Sequence, residues 1–297
     1  MSDLDRRDPR TGLVMEGGAM RGLFTAGVLD VMMENGIELD GAIGVSAGAL
    51  FGCNYKSRQI GRSVRYNLRF HDNPRYCSLR SLIKTGDLFE AEFCYHEIPD
   101  RLDPFDRRTY QENPMPFYVV CTDVKLGIPV YHRVDRGDDE DMKWFQASGS
   151  MPVFSRVVEI GGRGYLDGGM SDPIPLKQFE KMGYERNVVI LTQPEGYRKK
   201  KSKALPVMKL ALREYPAAYR VMAVRHQRYN GELDYVKRRE NAGAAFVIRP
   251  PESLGIGHTE RDPEELGRVY ETGRSVMEQK LEALRRFLDS TREGAEG

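Results

Sequence analysis

The sequence predicts an α/β fold in which helices cover both faces of a mostly parallel sheet. Short apolar runs that suit buried strands alternate with stretches of helical spacing between residues 12 and 192. Such alternation is typical of parallel sheets. Glycine-rich loops join two of these strands to the helices that follow. A hydrophobic share of 40% over 297 residues provides a core for one large domain, or for a domain with an appendage.

The second of these loops is the pentapeptide Gly44-Val45-Ser46-Ala47-Gly48. A G-x-S-x-G pattern places a serine on a sharp turn between a strand and a helix, with its Oγ exposed at the end of a sheet. The flanks agree, since residues 41–45 suit a buried strand and residues 47–53 suit a buried helix. Gly44 and Gly48 permit the strained turn and its close packing. The alternative is a chance match, because glycine supplies 30 of the 297 residues.

The first loop lies between a predicted strand at residues 12–15 and a helix closed by Asn35-Gly36. Its sequence is Glu16-Gly17-Gly18-Ala19-Met20-Arg21-Gly22. Successive backbone N–H groups at a helix N-terminus can cradle an oxyanion, which is the economical interpretation beside a candidate serine nucleophile. Three alternatives stay open. They are a dinucleotide loop whose G-x-G-x-x-G pattern is broken by Ala19, a phosphate loop that lacks G-K-[ST], and a turn without chemistry.

An aspartate followed by two glycines, Asp167-Gly168-Gly169, ends the second strand of a predicted hairpin. Apolar runs at residues 157–160 and 164–166 around Gly161-Gly162 indicate the hairpin. Active-site carboxylates of α/β proteins lie at strand ends of this kind. The alternative is a turn aspartate, since Asp-Gly is a common turn pair.

The chain becomes basic after residue 195. Residues 198–239 hold 13 Lys and Arg against three acidic residues, a net charge of +10 in a chain whose total is +1. An apolar stripe at helical spacing accompanies the charges and restarts at Pro216. We expect this segment to contact an anionic membrane surface, unless the stripe faces the core and the charges form a solvated face. No nucleic-acid partner is expected, because no recognised module accompanies the charge.

Composition also bears on the compartment. Four scattered cysteines without a C-x-x-C pair favour neither a zinc site nor a disulfide framework, and they suit a reducing compartment. Residues 1–10 are polar and charged and lack the apolar core of a signal peptide. No run approaches the ~18 apolar residues of a membrane span. We therefore expect a cytoplasmic protein with at most peripheral membrane contact, and neither a metal nor another cofactor.

Taken together, the motifs Gly17–Gly22, Gly44–Gly48 and Asp167–Gly169 resemble, in order and spacing, those of the patatin-like phospholipases. The resemblance covers roughly residues 10–195, and the tail is similar to that of bacterial cytoplasmic members. It implies a three-layer α/β/α sandwich with a mostly parallel sheet, followed by a helical C-terminal region.

We accordingly divide the chain into a catalytic domain at residues 8–195 and a basic, mainly helical region at residues 196–297. The second region contains one further strand, at residues 244–248, and a final helix from Asp262. Residues 57–113 are broken by prolines and stay open between helices and a lid. We expect them to determine the lipid head group and acyl chain length.

The resemblance implies a serine acyl hydrolase that cleaves acyl esters of lipids through a Ser46–Asp167 dyad and an acyl-enzyme. Ser46 would attack the ester carbonyl, and Asp167 would accept the serine proton and later activate water. The backbone N–H groups of the oxyanion hole would come from Gly17, Gly18 and Ala19. Further motif residues are Arg21, Gly22, Gly44, Gly48, Gly168 and Gly169. Many members carry a third glycine where this chain has Ala19, and alanine tolerates a positive φ less well.

Two alternatives to the dyad hydrolase stay open. The first is a Ser–His–Asp triad esterase, in which His226 or His258 would follow Ser46 and Asp167 in the chain. The second is a non-catalytic lipid-binding or regulatory protein on the same fold.

Overall fold

The computed structural model describes residues 10–293, with side chains described through residue 289. Predictions that concern residues 1–9 and 294–297, including most of the polar N-terminal segment, lie outside the described residues. Within the described range the chain forms a mixed sheet of eight strands with helices on both faces.

The elements follow one another in this order along the chain. The strands are β1 (Thr11–Met15), β2 (Gly41–Val45), β3 (Phe117–Asp123), β4 (Ile128–Arg133), β5 (Val158–Ile160), β6 (Arg163–Asp167), β7 (Arg186–Ile190) and β8 (Ala245–Ile248). The helices are α1 (Gly22–Glu34), α2 (Ala47–Lys56), α3 (Arg62–Arg69), α4 (Leu79–Thr85), α5 (Arg107–Glu112), α6 (Asp139–Gly149), α7 (Leu176–Lys181), α8 (Leu205–Ala211), α9 (Pro216–Asn241) and α10 (Pro263–Glu293).

The sheet is parallel over most of its width. Strands β3, β2, β1, β7 and β8 pair in parallel in that order. Beyond them, β4 and β6 pair antiparallel to β3, and β5 forms a hairpin with β6. The hairpin turn at Gly161-Gly162 has positive φ at both residues, 56° and 75°, as a tight hairpin turn requires. The predicted mostly parallel sheet and the predicted hairpin are both confirmed.

Alternate residues of β1 face opposite layers of helices. Leu13 and Met15 pack in one apolar cluster with helices α1, α2, α6 and α10, whereas Val14 packs in another with α7 and α9. All three side chains are fully buried, as expected of a central strand covered on both faces. The three-layer α/β/α sandwich that the resemblance implied is therefore confirmed.

Strands β2 and β6 meet end to end beside β3. β2 pairs in parallel with the first half of β3, and β6 pairs antiparallel with its second half. β4 pairs with β3 along nearly its whole length and so occupies the opposite edge. Because β2 and β6 run in opposite directions, their carboxyl ends are adjacent. Val45 lies opposite Val120, and Asp167 lies opposite the next residue, Cys121.

Residues 57–113 form short helices rather than a continuous structure. They comprise α3, α4, α5 and a π-helical segment at Phe93–Leu102 that contains Pro99. Apolar residues of this region pack against the α1 and α2 side of the sheet. The region therefore forms one wall beside the carboxyl end of β2.

The C-terminal region joins the same sheet and core. β8 adds a parallel strand beside β7, α9 begins at Pro216 as predicted, and α10 begins at Pro263. α10 packs along α1, and their apolar residues belong to one cluster. Whether the two regions separate at residue 195 stays a prediction.

The two backbones approach most closely at Gly27 of α1 and Gly273 of α10. A Cβ atom on Gly27 would lie 2.1 Å from the carbonyl oxygen of Tyr270. A Cβ atom on Gly273 would lie 2.1 Å from the carbonyl oxygen of Phe24. Neither contact can be relieved by a side-chain rotation, since both partners are backbone atoms. The absence of side chains at these two positions therefore sets the distance between α1 and α10.

Replacing Gly27 or Gly273 by alanine should lower the free energy of unfolding by about 1–3 kcal/mol or more, because the added methyl group forces the helices apart. Gly267→Ala, also in α10, is the matched control. No atom lies within 4 Å of its Cβ position, and alanine favours a helix over glycine by about 1 kcal/mol. Urea denaturation measures the three stabilities. Equal stability of the Gly273 and Gly267 variants would contradict the close approach of α1 and α10.

Candidate active site

Ser46 occupies the sharp turn between β2 and α2. Its backbone has φ 52° and ψ −125°, a conformation that costs a non-glycine residue about 1–3 kcal/mol. Close packing around the turn holds it in place. A Cβ atom on Gly48 would lie 2.5 Å from the carbonyl oxygen of Met15. The strand, the strained serine and the buried helix expected from the G-x-S-x-G pattern are all present.

A second serine, Ser148 in α6, fastens this turn to the sheet. Its Oγ accepts a hydrogen bond from the N–H of Ser46 (2.8 Å) and donates one to the carbonyl oxygen of Val120 (2.7 Å). The side chain is fully buried. Sequence reasoning assigned Ser148 no role, because 102 residues separate it from Ser46. The packing of α6 against β3 brings the two together.

Asp167 ends β6 beside Ser46. The Ser46 hydroxyl lies close enough to the Asp167 carboxylate to lower its pKa, and the N–H of Gly169 donates a hydrogen bond to Oδ1 at 2.7 Å. The hydroxyl of Thr122 donates to the backbone carbonyl oxygen of Asp167 at 2.8 Å. The structure thus brings the predicted serine and aspartate into contact. The Asp-Gly-Gly turn orients the carboxylate toward the serine.

Burial raises the pKa of Asp167 to about 6, and the residue is only 1% exposed. The nearby Ser46 hydroxyl, the hydrogen bond from Gly169 and then the positive charge of Arg225 oppose this shift by favouring the ionised form. An aspartate in water has a pKa near ~3.9. The buried Asp167 is therefore a stronger base than an ordinary aspartate and is still mostly ionised at neutral pH.

The loop between β1 and α1 lies directly against the Ser46 turn. A Cβ atom on Gly17 would lie 3.0 Å from Cβ of Ser46, so the backbone reaches the serine only because Gly17 has no side chain. A 3-10 turn follows at Ala19–Arg21, in which Ala19 has φ 49°. Alanine therefore adopts the left-handed conformation that a third glycine would adopt more easily. Gly17, Gly18 and Ala19 line the same cavity as Ser46.

Glu16, immediately before this loop, ties it to the C-terminal region. Its carboxylate is 1% exposed and accepts hydrogen bonds from the N–H of Thr192 (2.6 Å) and the hydroxyl of Tyr229. Burial raises the pKa of Glu16, whereas these two hydrogen bonds and the charges of Arg21 and Lys199 lower it. Sequence reasoning did not include Glu16 or Tyr229 in the site, since 213 residues separate them.

A cavity of about 230 Å³ opens beside Ser46 and Asp167. Its polar end is formed by these two residues and the loop at residues 16–21. The remaining walls are mostly apolar and come from α2, α6 and residues 57–113. Apolar lining residues include Leu50, Phe51, Leu88, Phe89, Phe105 and Phe145. This arrangement suits a ligand with a long apolar part and one polar end.

The apolar residues between Tyr76 and Phe89 lie in three different environments. Those that line the cavity are Tyr76, Leu88 and Phe89. Leu82 is half-buried against the core. Leu79 and Ile83 do neither, because they are 70% and 87% exposed on the outer face of α4. Their i, i+4 spacing places both side chains on the face opposite to the buried Ser81.

Basic side chains from three separate segments also line the cavity. Arg21 follows the glycine-rich loop, Lys199 lies in the segment after β7, and Arg225 belongs to α9. The Nε–H of Arg225 donates to the carbonyl oxygen of Gly169, which fixes the guanidinium beside the Asp-Gly-Gly turn. Sequence reasoning included Arg21 in the site and assigned Lys199 and Arg225 to a membrane-facing segment. The structure instead places these two side chains in the cavity.

The two histidines proposed for a triad differ in position. His258 lies at the cavity mouth with part of its side chain exposed. Partial burial, and then the positive charges of three neighbouring basic residues, lower the pKa of His258 to about 4. Among the residues that the structure describes, His226 in α9 does not line the cavity.

Within residues 10–293, no group of three or more His, Cys, Asp and Glu side chains is placed to hold a metal ion. No helix in that range combines the length and apolar character needed to cross a membrane. The cytoplasmic location stays a prediction from composition.

Two family models match parts of this chain. The family model described as patatin-like phospholipase matches residues 13–180. The chain belongs to this family. The matched range contains Ser46, Asp167 and the glycine-rich loop, and it ends before Lys199 and Arg225. A second family model, described only as a domain of unknown function, matches residues 215–289.

Similar curated proteins share this patatin-like region. Uncharacterized protein YjjU of Escherichia coli is 34% identical over 193 residues, which cover 62% of this chain and 52% of that protein. An uncharacterized NTE family protein of Mycobacterium bovis is 26% identical over 168 residues, or 57% of this chain and 45% of that protein. The chain therefore spans about half the length of the curated relatives it matches. Among solved structures, VipD from Legionella pneumophila aligns at a TM-score of 0.46 with 14% identity, over 93% of this chain and 67% of VipD.

Proposed function

We propose that the chain is a serine acyl hydrolase that cleaves acyl esters of lipids through Ser46 and Asp167. One observation carries the proposal. The Ser46 hydroxyl and the buried carboxylate of Asp167 lie together at the polar end of a mostly apolar cavity. Membership of the patatin-like phospholipase family supports a lipid substrate at the level of the family. The dyad and the acyl-enzyme are the finer part of the proposal.

In the proposed first step, Ser46 Oγ attacks the ester carbonyl while Asp167 accepts the hydroxyl proton. The alcohol leaves with that proton, and the acyl chain stays on Ser46 as an ester. Water then attacks this acyl-enzyme while Asp167 accepts a proton from the water, the bond between the acyl group and Ser46 Oγ breaks, and Asp167 returns the proton to Ser46 as the free carboxylic acid leaves. The hydrogen bond from Gly169 to Oδ1 keeps the carboxylate from rotating away from the serine during both steps.

The negative charge that develops on the carbonyl oxygen is assigned to the backbone N–H groups of Gly17, Gly18 and Ala19. These residues line the cavity beside Ser46, and loss of one such donor typically lowers a rate ~100-fold or more. Helix α2 begins directly after Ser46. The positive end of its dipole favours alkoxide character on the serine. Both effects assist a carboxylate base that is weaker than an imidazole.

The geometry favours the dyad over a Ser–His–Asp triad. In a triad the aspartate binds the imidazole and stabilises its positive charge. Within residues 10–293, neither His226 nor His258 forms a hydrogen bond with Asp167 or Ser46. A histidine whose pKa is about 4 is also a weak general base at neutral pH.

Ser46→Ala should lower hydrolysis of short acyl esters by about a thousandfold or more, because it removes the nucleophile. The same change should abolish covalent labelling by a fluorophosphonate probe. His226→Ala and His258→Ala should each lose less than about tenfold, since removing a general base typically costs ~100-fold or more. Ester turnover and probe labelling measure these effects, and circular dichroism checks that each variant is folded.

A folded histidine variant as inactive as Ser46→Ala would replace the dyad by a triad. Absence of Ser46 labelling in the wild-type protein, together with binding of a fatty-acyl ligand, would support the non-catalytic lipid-binding alternative.

The value of kcat/KM for a non-ionisable ester should fall about tenfold per pH unit below pH ~6, because protonated Asp167 cannot accept the serine proton. The expected midpoint follows from the raised pKa of Asp167, about 6. Tyr95 and Cys121 also face this carboxylate, and burial raises the pKa of both so that they stay neutral. A pH–rate profile between pH 4.5 and 8 measures the midpoint.

The pH dependence of folding stability distinguishes this loss of activity from unfolding. The pKa of Asp167 is raised in the folded state, so protonating it as the pH falls stabilises the fold rather than weakening it. Circular dichroism at pH 5 should therefore show a folded protein with reduced activity. A midpoint near pH 4 would contradict the role given to the buried carboxylate.

We also propose that part of the basic segment binds anionic membranes. Most of α9 is unavailable for this role, because Val221, Met222, Tyr229 and Val236 are buried in the core. The exposed part consists of the loop before α8 and α8 itself. Val207 and Leu210 are 55% and 67% exposed there. Exposed lysines surround them at positions Lys200, Lys201, Lys203 and Lys209.

The double variant Lys200→Gln/Lys201→Gln should bind anionic vesicles ~30-fold more weakly than wild type, because each lysine near an anionic surface contributes about 1 kcal/mol. Lys177→Gln/Lys181→Gln is the matched control, since it removes two exposed lysines from α7. Co-sedimentation with phosphatidylcholine vesicles, with and without phosphatidylserine, measures the difference. Equal binding to both vesicle types, or equal loss in both variants, would remove the membrane proposal.

A further inference from the structure

Three basic residues beside Ser46 have no carboxylate partner. Arg21, Lys199 and Arg225, here called the cationic cluster, all line the cavity. Basic residues elsewhere in α9 and before it form ion pairs, for example Arg198 with Asp234 and Arg239 with Glu180. Over residues 10–293, no member of the cationic cluster forms an ion pair within 4.0 Å. The three positive charges of the cluster are therefore not held by ion pairs.

Partial burial makes these unpaired charges unfavourable for the stability of the fold. Nε of Arg21 is buried and has no hydrogen-bond partner among the described residues. Lys199 lies over the ring of Tyr229, with Nζ 4.6 Å from the centroid. Burial, and then the charge of Arg225, lower the pKa of Lys199 to about 8. Unpaired charges of this kind destabilise a fold, and they concentrate at functional sites.

Two carboxylates act on the cluster without forming an ion pair with it. Asp167 interacts with Arg225, and Glu16 interacts with Arg21 and with Lys199, whose pKa it raises. Both oxygens of Glu16 already accept hydrogen bonds, from the N–H of Thr192 and the hydroxyl of Tyr229. A ligand anion in the cavity would supply the missing negative charge and an acceptor for Arg21.

We infer that the cationic cluster is an anion subsite beside Ser46 that binds the phosphate group of an acyl ester substrate. The inference rests on the proposed hydrolase function, and it adds the chemical class of the substrate. The apolar walls take the acyl chain, Ser46 meets the ester, and the cluster meets a phosphate a few bonds from that ester. Three cations from separate segments suit a dianionic phosphate better than a carboxylate, which has one charge and two oxygens.

Two of the three residues of the cluster lie outside the patatin-like match. Lys199 and Arg225 lie beyond residues 13–180, and Arg225 falls within residues 215–289, which match the second family model. Only Arg21 lies inside residues 13–180. The anion preference therefore depends on how α9 and the segment before it pack against the catalytic motifs.

Binding to the inactive Ser46→Ala protein tests the subsite independently of catalysis. The probes are octyl phosphate, the neutral 1-O-octylglycerol and inorganic phosphate, measured by isothermal titration calorimetry. Lys199→Met in the same background should weaken octyl phosphate binding about 10- to 100-fold, the usual effect of losing a charged hydrogen-bond donor. Lys200→Met is the matched control, because it removes an adjacent, exposed lysine. Lys199→Arg keeps the charge and should restore most of the affinity.

A second experiment measures whether the subsite affects the rate of ester hydrolysis. For the wild-type protein, kcat/KM for 1-hexanoylglycerol-3-phosphate should exceed that for 1-hexanoylglycerol. Lys199→Met should lower this ratio about tenfold or more, and Lys200→Met should leave it unchanged. Both esters are short enough to be soluble, so membrane binding does not affect the ratio.

The outcomes separate the two proposals. Equal effects of Lys199→Met and Lys200→Met would overturn the subsite, because only the overall positive charge would then matter. Inorganic phosphate that binds as tightly as octyl phosphate would overturn the substrate assignment in favour of a free-anion site. If no ester is hydrolysed but octyl phosphate binding depends on Lys199 alone, the subsite stands and the hydrolase proposal fails.

Discussion

The site depends on how one strand, β3, is shared by two others. β2 and β6 occupy successive parts of the same edge of β3 and run toward each other. Their carboxyl ends therefore meet, which places Ser46 next to Asp167 without any insertion between them. Ser148 bridges the Ser46 turn to the β3 backbone. A shift of β6 by one residue along β3 would turn the Asp167 side chain to the other face of the sheet.

Burial of charged groups on both sides of Ser46 shifts their pKa values. On one side, burial makes Asp167 a stronger base by raising its pKa to about 6. On the other side, burial brings cations together without partners and lowers the pKa of Lys199 to about 8. Arg225 links the two, since it binds the Gly169 carbonyl oxygen and acts on both titrating groups. The catalytic geometry and the charge of the cavity are therefore coupled through one side chain in α9.

Much of the fold and part of the site could be predicted from local sequence. β2 was predicted at its observed bounds because residues 41–45 are a short apolar run that suits a buried strand, and α9 begins at Pro216 because proline suits the first turn of a helix. Ser46 and Asp167 were found because glycines mark the tight turns around them. Ser148, Glu16 and Tyr229 carry no such local mark. Their roles depend on partners more than 100 residues away.

The amino-acid sequence by itself determined the fold class, the nucleophile turn and the glycine-rich loop, because short-range periodicity and glycine positions encode them. Only the tertiary structure decided where the positive charges of residues 198–239 go. Sequence reasoning treated them as one basic segment, yet Lys199 and Arg225 enter the cavity while Lys200 and Lys201 stay exposed. Neighbouring lysines are chemically identical along the chain. The packing of α9 against the Asp-Gly-Gly turn and the Glu16–Tyr229 contact give them different environments.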